Sequence, residues 1–202
     1  MNFFEELQPK GHLQIVKLFP TGDEEILLDE KNVIVSGFGV GLSYLFTLSG
    51  SNKITDYQLD RFQFGVCATQ TVSSSVFKLD YPISSIAHYG TDTKLLLLSS
   101  IQVRNGVNFP NQVFGIIPHK NVTRISSNTV RYTIVLDEKT LNDLGNYGYP
   151  GGTDAALREI GLFMKNPRGD ASTASFLSAY KQFSSIKKTS EFSLVFRWSL
   201  SF

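Results

Sequence analysis

The amino-acid sequence predicts a mainly β protein, an antiparallel β-sandwich with one short helix near the N-terminus. About ten short segments are rich in β-branched and aromatic residues or alternate apolar with polar residues, as strands do. Turn residues separate these segments at irregular intervals, a spacing that favours a sandwich over repeated βαβ units. Only residues 38–48 carry apolar residues at helical spacing.

The last segment, residues 191–202, has the strongest strand pattern in the chain. Large apolar side chains stand at every second position, and the residues between them are mostly serine. A period of two places the large side chains on one face of a strand, and we expect that face to lie in the core. An apolar strand at residues 157–164 is expected to join it. The predicted core residues are Phe192, Leu194, Phe196, Trp198, Leu200, Ile160 and Leu162, and Phe202 continues the same face.

The N-terminal part predicts a β-hairpin followed by the helix. Residues 12–19 and 25–29 are strand-like, and Pro20-Thr21-Gly22-Asp23 between them is a turn sequence. Residues 33–35 predict a short strand that leads into the helix of residues 38–48. Glycines weaken that helix by about 1 kcal/mol each relative to alanine. Close packing of the helix against a sheet would explain why they are there.

The rest of the chain predicts strands and turns. Residues 122–125 and 129–136 form the clearest hairpin, because Val130, Tyr132, Ile134 and Leu136 alternate with Arg131, Thr133 and Val135. Residues 137–144 predict a single helical turn, and residues 147–152 predict a loop by composition. The remaining predicted strands are residues 61–68, 94–103, 113–117, 157–164 and 176–183.

Length and composition predict one folded domain over residues 1–202, with a short N-terminal arm at about residues 1–10. A chain of 202 residues buries about 70% of its unfolded surface, and 42% hydrophobic residues argue against disorder. The net charge is only +1, so we expect no nucleic acid partner. No apolar stretch reaches the roughly 20 residues of a membrane span, and we expect no membrane partner and no secretion leader.

Residues 37–41, Gly-Phe-Gly-Val-Gly, follow a short strand and invite comparison with a dinucleotide-binding loop. The third glycine of the G-x-G-x-x-G pattern would fall at Leu42, and no βαβ units follow. The sequence therefore predicts no nucleotide cofactor. The single cysteine, Cys67, excludes an internal disulfide, and it reads as a small core residue.

Histidine-based chemistry has little support in the sequence. His12, His88 and His119 are the only histidines, and no two of them have metal-ligand spacing. No Gly-x-Ser-x-Gly elbow is present, although a Ser–His–Asp triad assembled across the fold stays open because triads do not need sequence proximity. We expect no catalytic residue, no cofactor, no metal and no enzyme activity.

Several segments resemble structural proteins of tailed-bacteriophage virions. The C-terminal part contains E-I-G-L-F at residues 159–163, an aromatic strand, K-T-x-E at residues 188–191 and W-x-L-x-F at residues 198–202. The N-terminal order of a strand pair, Asn32-Val33-Ile34-Val35 and a glycine-containing helix is similar to the start of the same proteins, as is the strand at residues 128–136. Together these segments cover about half of the chain. Because they mark strand architecture, the resemblance implies an assembled structural role.

We therefore expect a non-enzymatic virion component, made in the host cytoplasm and placed in the tail, as part of the baseplate, neck or collar, or fibre attachment. Its partners would be copies of itself and other virion proteins, because charge depletion suits interfaces in multi-copy assemblies. The alternative is a module on the virion that binds a cell-surface receptor or a carbohydrate. Its contact loop would carry Asn146, Tyr147 and Tyr149.

Overall fold

The computed structural model describes residues 9–47, 53–66, 71–75, 79, 95–98, 102–104, 107–109, 112–142, 144, 154–166 and 175–202, with the backbone alone for those between 95 and 113. Within these ranges the chain forms twelve strands, one α-helix and the 3-10 helices Ile54–Tyr57 and His119–Asn121. The helix α1 is Ser36–Phe46. The strands are β1 Lys10–Leu18, β2 Glu24–Ile34, β3 Leu59–Gly65, β4 Leu95–Leu98, β5 Gln102–Arg104, β6 Val107–Phe109, β7 Gln112–Ile116, β8 Val122–Arg124, β9 Thr129–Leu136, β10 Leu157–Lys165, β11 Ser175–Ile186 and β12 Ser193–Ser201.

Ten of the described strands form one antiparallel sheet in the order β4-β7-β3-β10-β11-β2-β1-β12-β9-β8, and β5 pairs with β6. Every pairing among them is antiparallel. The predicted class, mainly β and antiparallel with one helix, is confirmed. The strands were expected in two packed sheets, whereas ten of the twelve described strands form a single sheet.

The predicted N-terminal hairpin is present as β1 and β2. The turn closes with hydrogen bonds from the Gly22 amide to the Phe19 carbonyl and from the Phe19 amide to the Asp23 carbonyl, at 2.9 and 3.0 Å. Gly22 has a φ of 92°, a conformation that glycine adopts without steric cost. β2 is longer than predicted, because residues 25–29 and 33–34 belong to one continuous strand of 11 residues that ends before Val35.

The long strand β2 connects the two halves of the sheet and lets the sheet curl. β2 pairs with β1 along most of its length, but with β11 only through Val33 and Ile34. The rings of Phe64 in β3 and Phe196 in β12 lie 4.9 Å apart, although four strands separate β3 from β12. In a flat sheet five strand spacings would place them roughly 24 Å apart. The two halves therefore face each other across a shared core.

The structure places the seven predicted core residues in one buried cluster. Each has at most 6% of its surface exposed. Trp198 also satisfies its indole N–H, which donates to Asn32 Oδ1 at 2.8 Å. Phe202 differs from the expected pattern: it is half exposed, and its ring lies 6.0 Å from that of Phe38 in α1. The core thus ends at Leu200, because the chain leaves the sheet after Ser201.

The predicted helix boundaries, residues 38–48, are wrong by two residues at each end. Val35 is extended and Ser36 begins α1. Gly37 packs so closely on β11 that an added Cβ would overlap the Leu177 carbonyl oxygen. The spacing of apolar side chains does not reveal the first turn of α1, because the contact of Gly37 with β11 is made by backbone atoms. The helix ends where Thr47 turns back, with its amide and hydroxyl both donating to the Ser43 carbonyl.

Two other predicted elements also differ. The single strand expected at residues 94–103 is divided into β4 and β5, because β4 pairs with β7 while β5 pairs with β6. Residues 137–142 form an irregular turn in place of the expected helical turn. The Asp137 carboxylate accepts the Lys139 amide at 3.0 Å, as in an Asx turn. Leu141 has a φ of 56°, which interrupts any helix.

Gly37→Ala and Gly39→Ala are expected to change stability in opposite directions. A Cβ at Gly37 meets the β11 backbone, which cannot move aside cheaply, whereas a Cβ at Gly39 meets open space. Gly37→Ala should lower the free energy of unfolding by about 1–3 kcal/mol, and Gly39→Ala should raise it by up to about 1 kcal/mol. Urea denaturation of both variants tests this. Equal effects would show that α1 does not dock on β11 through Gly37.

Candidate functional site: a cleft between β2 and β11

A cleft opens where the two halves of the sheet separate. Beyond their short pairing at Val33 and Ile34, the described strands leave residues 24–32 of β2 and residues 181–186 of β11 without a strand partner on their facing edges. A cavity of about 250 Å³ lies between them and is open to solvent. Its apolar lining consists of Ile15, Leu27, Leu28, Phe183, Ile186 and Phe192.

A β-bulge in β2 shapes one wall of the cleft. Ile15 pairs with Leu28 and Val16 pairs with Ile26, so Leu27 is the extra residue. Neighbouring residues of a regular strand point to opposite faces, but a bulge re-aims one of them. Both Leu27 and Leu28 therefore line the cleft and pack against the edge of the core. The result is an apolar wall that stays partly exposed.

The opposite wall and the floor also belong to the core. Phe183 is partly buried on β11, and its ring lies 6.4 Å from that of Phe196. Ile15, Ile186 and Phe192 form the floor and are buried. The cleft is thus a lateral entrance to the hydrophobic core. An apolar side chain placed there would remove core surface from water.

Lysines surround this entrance. Lys17 Nζ lies 5.2 Å from the Phe192 ring centre and 3.0 Å from Glu25 Oε2. Lys187 lines the cleft and is exposed. No carboxylate of the described residues forms an ion pair with Lys187. The cleft lining itself holds two lysines and no acidic residue. Glu25 thus compensates Lys17, and Lys187 is the lysine of the rim that is left to pair with an acidic group of a partner.

Lys181 closes the inner end of the cleft. Its ammonium donates to the Lys31 carbonyl oxygen at 3.0 Å and to Glu30 Oε2 at 2.6 Å. The carbonyl lies on β2 just beyond the last residues that pair with β11. A lysine at a strand edge is a common way to block further pairing. The free stretch of both strands therefore begins at Lys181.

Lys188 lies behind the cleft and is almost completely buried. Its Nζ donates to Asn142 Oδ1 at 3.0 Å and to the Thr189 carbonyl at 2.6 Å. It also lies 5.2 Å from the Phe192 ring centre. Burial lowers the pKa of Lys188 to about 8, while Asp137 and Glu138 act in the opposite direction. Lysine amines with a lowered pKa serve as bases or nucleophiles in other proteins. The contacts of the Lys188 amine instead hold two turns together.

The turn of residues 137–142 completes this polar cluster. Glu138 Oε1 accepts the Ser193 hydroxyl at 2.7 Å, and this hydrogen bond lowers the pKa of Glu138. Asn142 donates to the Glu138 carbonyl while its oxygen accepts Lys188. Leu141, in its left-handed conformation, is buried in the main core. The turn therefore fixes Lys188 and, through it, the position of Phe192 in the cleft.

Lys188→Met is expected to remove a pH dependence of stability. Lys188 has a pKa of about 8 in the fold, against 10.5 for an ordinary lysine. Between these values the unfolded chain holds a proton that the folded chain has released, so stability rises with pH in this window. The rise should be about 1–3 kcal/mol after solvent screening. Below pH 8 the folded protein carries the full cost of a charged buried amine.

The measurement is the difference in unfolding free energy between Lys188→Met and the parent protein from pH 7 to pH 10. We expect the free energy of unfolding of Lys188→Met, minus that of the parent, to be largest at pH 7 and smallest at pH 10. Burial raises the pKa of Tyr132 to about 12, which lowers stability above pH 10, but Tyr132 is common to both proteins and cancels. A difference that does not vary with pH would contradict this assignment.

A second buried polar cluster lies on the other face of β10 and β11. Glu159 is fully buried and accepts the Tyr180 hydroxyl, and Tyr180 accepts Gln182 Nε2 at 2.9 Å. Gly65 of the neighbouring strand β3 is paired with Glu159, and a Cβ on Gly65 would overlap Glu159 Oε1. A buried carboxylate with a tyrosine is a pair that acid–base chemistry can use. Sequence reasoning missed it, although an acid inside the apolar E-I-G-L-F strand is a signal that could have pointed to it.

The structure brings few of the other sequence candidates together. His12 Nε2 lies 3.1 Å from Asp29 Oδ1 at the surface, and His119 is exposed in a 3-10 helix. Across the described ranges no group of three or more His, Cys, Asp or Glu side chains could hold a metal ion. The predicted contact loop with Asn146, Tyr147 and Tyr149 lies outside the described residues, as do His88 and Cys67. The cleft was not foreseen from the sequence.

Comparison with known proteins found no match among protein families, curated proteins or solved structures. In the part of the chain with a described structure, no helix is long and apolar enough to cross a lipid bilayer. The cleft and its surroundings are therefore the main basis for a functional proposal.

Proposed function

We propose that this protein is a non-enzymatic structural component of a tailed-bacteriophage virion, assembled in several copies in the tail or its junctions. The observation that carries the structural role is the cleft between β2 and β11. Two strand edges without strand partners flank an apolar opening. Such a site suits an extended protein segment, whose backbone pairs with an edge while its side chains enter the opening.

The phage setting rests on the sequence resemblance, and the fold shows where its residues lie. E-I-G-L-F lies on β10, K-T-x-E in the turn between β11 and β12, and the tryptophan of W-x-L-x-F on β12. Most of the side chains in these strand segments are buried. They support a shared architecture and a role as a scaffold for interfaces. The station within the tail, whether baseplate, neck or collar, or fibre attachment, is part of the proposal.

Exposed apolar side chains elsewhere support assembly. Phe46 at the end of α1 is 83% exposed, and Ile54 in the adjoining 3-10 helix is 72% exposed. On the outer face of the other half, a row of Ile26, Val16, Val195 and Val135 crosses four strands, and its two end residues are exposed. Apolar surface of this kind marks protein interfaces when it is contiguous. Phe46 and Ile54 are thus suited to a neighbouring subunit, whereas the exposed Ile26 and Val135 are separated by the buried Val16 and Val195.

The sandwich is the finer architectural part of the proposal. The five strands on each side of the β2–β11 junction would form its two layers. The short pairing of β2 with β11 would join one layer to the other. The contact between Phe64 and Phe196 across the interior supports this arrangement. Both halves contribute to one hydrophobic cluster. We therefore expect the chain to unfold as one cooperative unit.

Incorporation into particles tests the proposal. The chain, supplied in trans to a phage that lacks its gene, should co-purify with virions in a fixed copy number. Ser185→Trp places a large side chain in the cleft and should prevent incorporation, because Ser185 is exposed and lines it. Ser127→Trp, in the exposed β8–β9 turn, should be incorporated normally.

Two results would contradict the proposal. Absence of the parent chain from purified particles would exclude a virion role. Equal incorporation of Ser185→Trp and Ser127→Trp would exclude the cleft as the assembly site. Binding of the isolated chain to host cells or glycans, without incorporation defects in either variant, would favour the receptor- or carbohydrate-binding alternative.

A further inference from the structure

We infer that the cleft between β2 and β11 binds residues 3–7 of a second copy of this chain, Phe-Phe-Glu-Glu-Leu. The inference rests on the proposed function, because it names the partner segment for the same cleft. Four properties of the cleft support it: its size, its charge, the free strand edge beside it and its distance from the start of β1.

The size of the cleft fits an aromatic side chain. An apolar cavity of about 150 Å³ is large enough for benzene, and this one measures about 250 Å³. One phenylalanine ring therefore fits, with space left for part of a neighbouring apolar group. The walls that the ring would contact are Leu27, Leu28 and Phe183, which are only partly buried in the isolated chain. Occupation would complete their burial.

The charge of the rim fits the acidic residues that follow. Lys187 lines the cleft and has no ion-pair partner among the described residues, whereas Lys17 is paired with Glu25. Side chains two residues apart lie on the same side of an extended chain. Phe3 is followed at that spacing by Glu5, and Phe4 by Glu6. Whichever phenylalanine enters the cleft, a carboxylate follows on the same side and can pair with Lys187.

The backbone of this segment has a partner as well. The free edge of β2 over residues 24–30, beyond the Lys31 carbonyl that Lys181 occupies, offers N–H and C=O groups to an added strand. Pairing of an extended segment with such an edge supplies binding free energy that does not depend on side chains. The side chains then set the register, because only one face of the segment meets the cleft.

The same chain's segment is too short to reach the outer end of the cleft, where Lys17 lies. β1 begins at Lys10, and Lys17 at the cleft is seven residues further along the strand, roughly 23 Å away. Phe4 precedes Lys10 by six residues, which span at most roughly 21 Å when fully extended. A reversal of direction would use part of that length. An occupant whose acidic residues lie at this outer end is therefore the segment of another copy.

Photo-crosslinking tests the occupant directly. The photoreactive amino acid p-benzoylphenylalanine replaces Phe4 in the full chain, and ¹⁴N- and ¹⁵N-labelled copies are mixed before irradiation. Tryptic digestion releases residues 182–187 as one peptide from the cleft. We expect this peptide to be crosslinked to residue 4, with mixed-isotope pairs as frequent as same-isotope pairs. Crosslinks with only one isotope would show that the segment binds its own chain and would overturn the inference, as would no crosslink to the cleft.

A charge exchange provides the second test, with self-association measured by analytical ultracentrifugation. Lys187→Glu should weaken self-association about two- to fivefold, as expected for one exposed ion pair, and Glu6→Lys with Glu5→Lys should also weaken it. A chain that carries Lys187→Glu together with Glu5→Lys and Glu6→Lys should recover self-association. Lys120→Glu, at an exposed lysine of the His119–Asn121 helix, is the control and should have no effect. Failure of the combined variant to recover would contradict the inference.

These tests are separable from the test of function. They use the purified chain, whereas the proposed function is tested in particles. Mixed-isotope crosslinks from a chain that is absent from virions would keep the inference and remove the proposed function. Incorporation into virions with same-isotope crosslinks only would do the reverse.

Discussion

Phe196→Ala is expected to lower the free energy of unfolding by about 3–5 kcal/mol, the range for removal of a fully buried phenylalanine. Phe196 has no exposed surface and contacts the rings of Phe64 and Phe183, which belong to the other half of the sheet. Its loss would open a cavity at the place where the two halves meet. Guanidinium denaturation, with the slope compared between variants, measures the effect.

Val135→Ala is the matched control for Phe196→Ala. Val135 lies on the neighbouring strand β9 and is half exposed, so its truncation should cost about 0.5 kcal/mol or less. A double-mutant cycle with Phe64→Leu and Phe196→Leu should give a coupling of about 0.5–1.5 kcal/mol. If Phe196→Ala costs no more than Val135→Ala, or the coupling is zero, the two halves do not share a core.

The second large effect is expected for Asp60→Ala, which removes the carboxylate of a partly buried ion-pair network. Asp60 accepts Arg61 Nε at 2.9 Å and lies 3.0 Å from Lys165 Nζ. Arg61 is buried and also donates to the Ser175 hydroxyl. Loss of the carboxylate would leave the buried guanidinium charge uncompensated. We expect a cost of about 3 kcal/mol in urea denaturation, at the lower end of the range for broken buried ion pairs.

Glu24→Ala provides the comparison for Asp60→Ala. Glu24 pairs with Arg197 at 3.1 Å, but both side chains are substantially exposed. Solvent screens such pairs, so Glu24→Ala should cost less than about 1 kcal/mol and should lose its effect in high salt. Equal costs for the two variants would mean that Asp60 and Arg61 are not buried as described.

Local sequence patterns predicted the strands well where one face is buried and the other is polar. In β12 the period of two is complete, and the residues on its apolar face are buried from Phe192 to Leu200. The β8–β9 hairpin was visible for the same reason. The pattern failed for β2, where residues 30–32 are polar and exposed or partly exposed. These residues made one strand look like two, and that strand is the link between the halves of the sheet.

Features that depend on backbone contacts or strand partners were not visible in the sequence. The start of α1 is set by the approach of Gly37 to the Leu177 carbonyl. The irregular turn before Asn142 depends on the left-handed conformation of Leu141, which is unusual for leucine. The cleft arises because β2 and β11, about 150 residues apart in the chain, pair over only a short length. No local pattern specifies where such pairing ends.

We propose that this chain is an assembled component of a virion, with its cleft at a subunit contact. Electron cryo-microscopy of intact particles, with the chain traced in the density, is the decisive experiment. We expect a ring of copies at the tail or its junctions, with an extended segment of a neighbouring copy in the cleft between β2 and β11. Particles without this chain, or copies whose clefts face solvent and are empty, would contradict the claim.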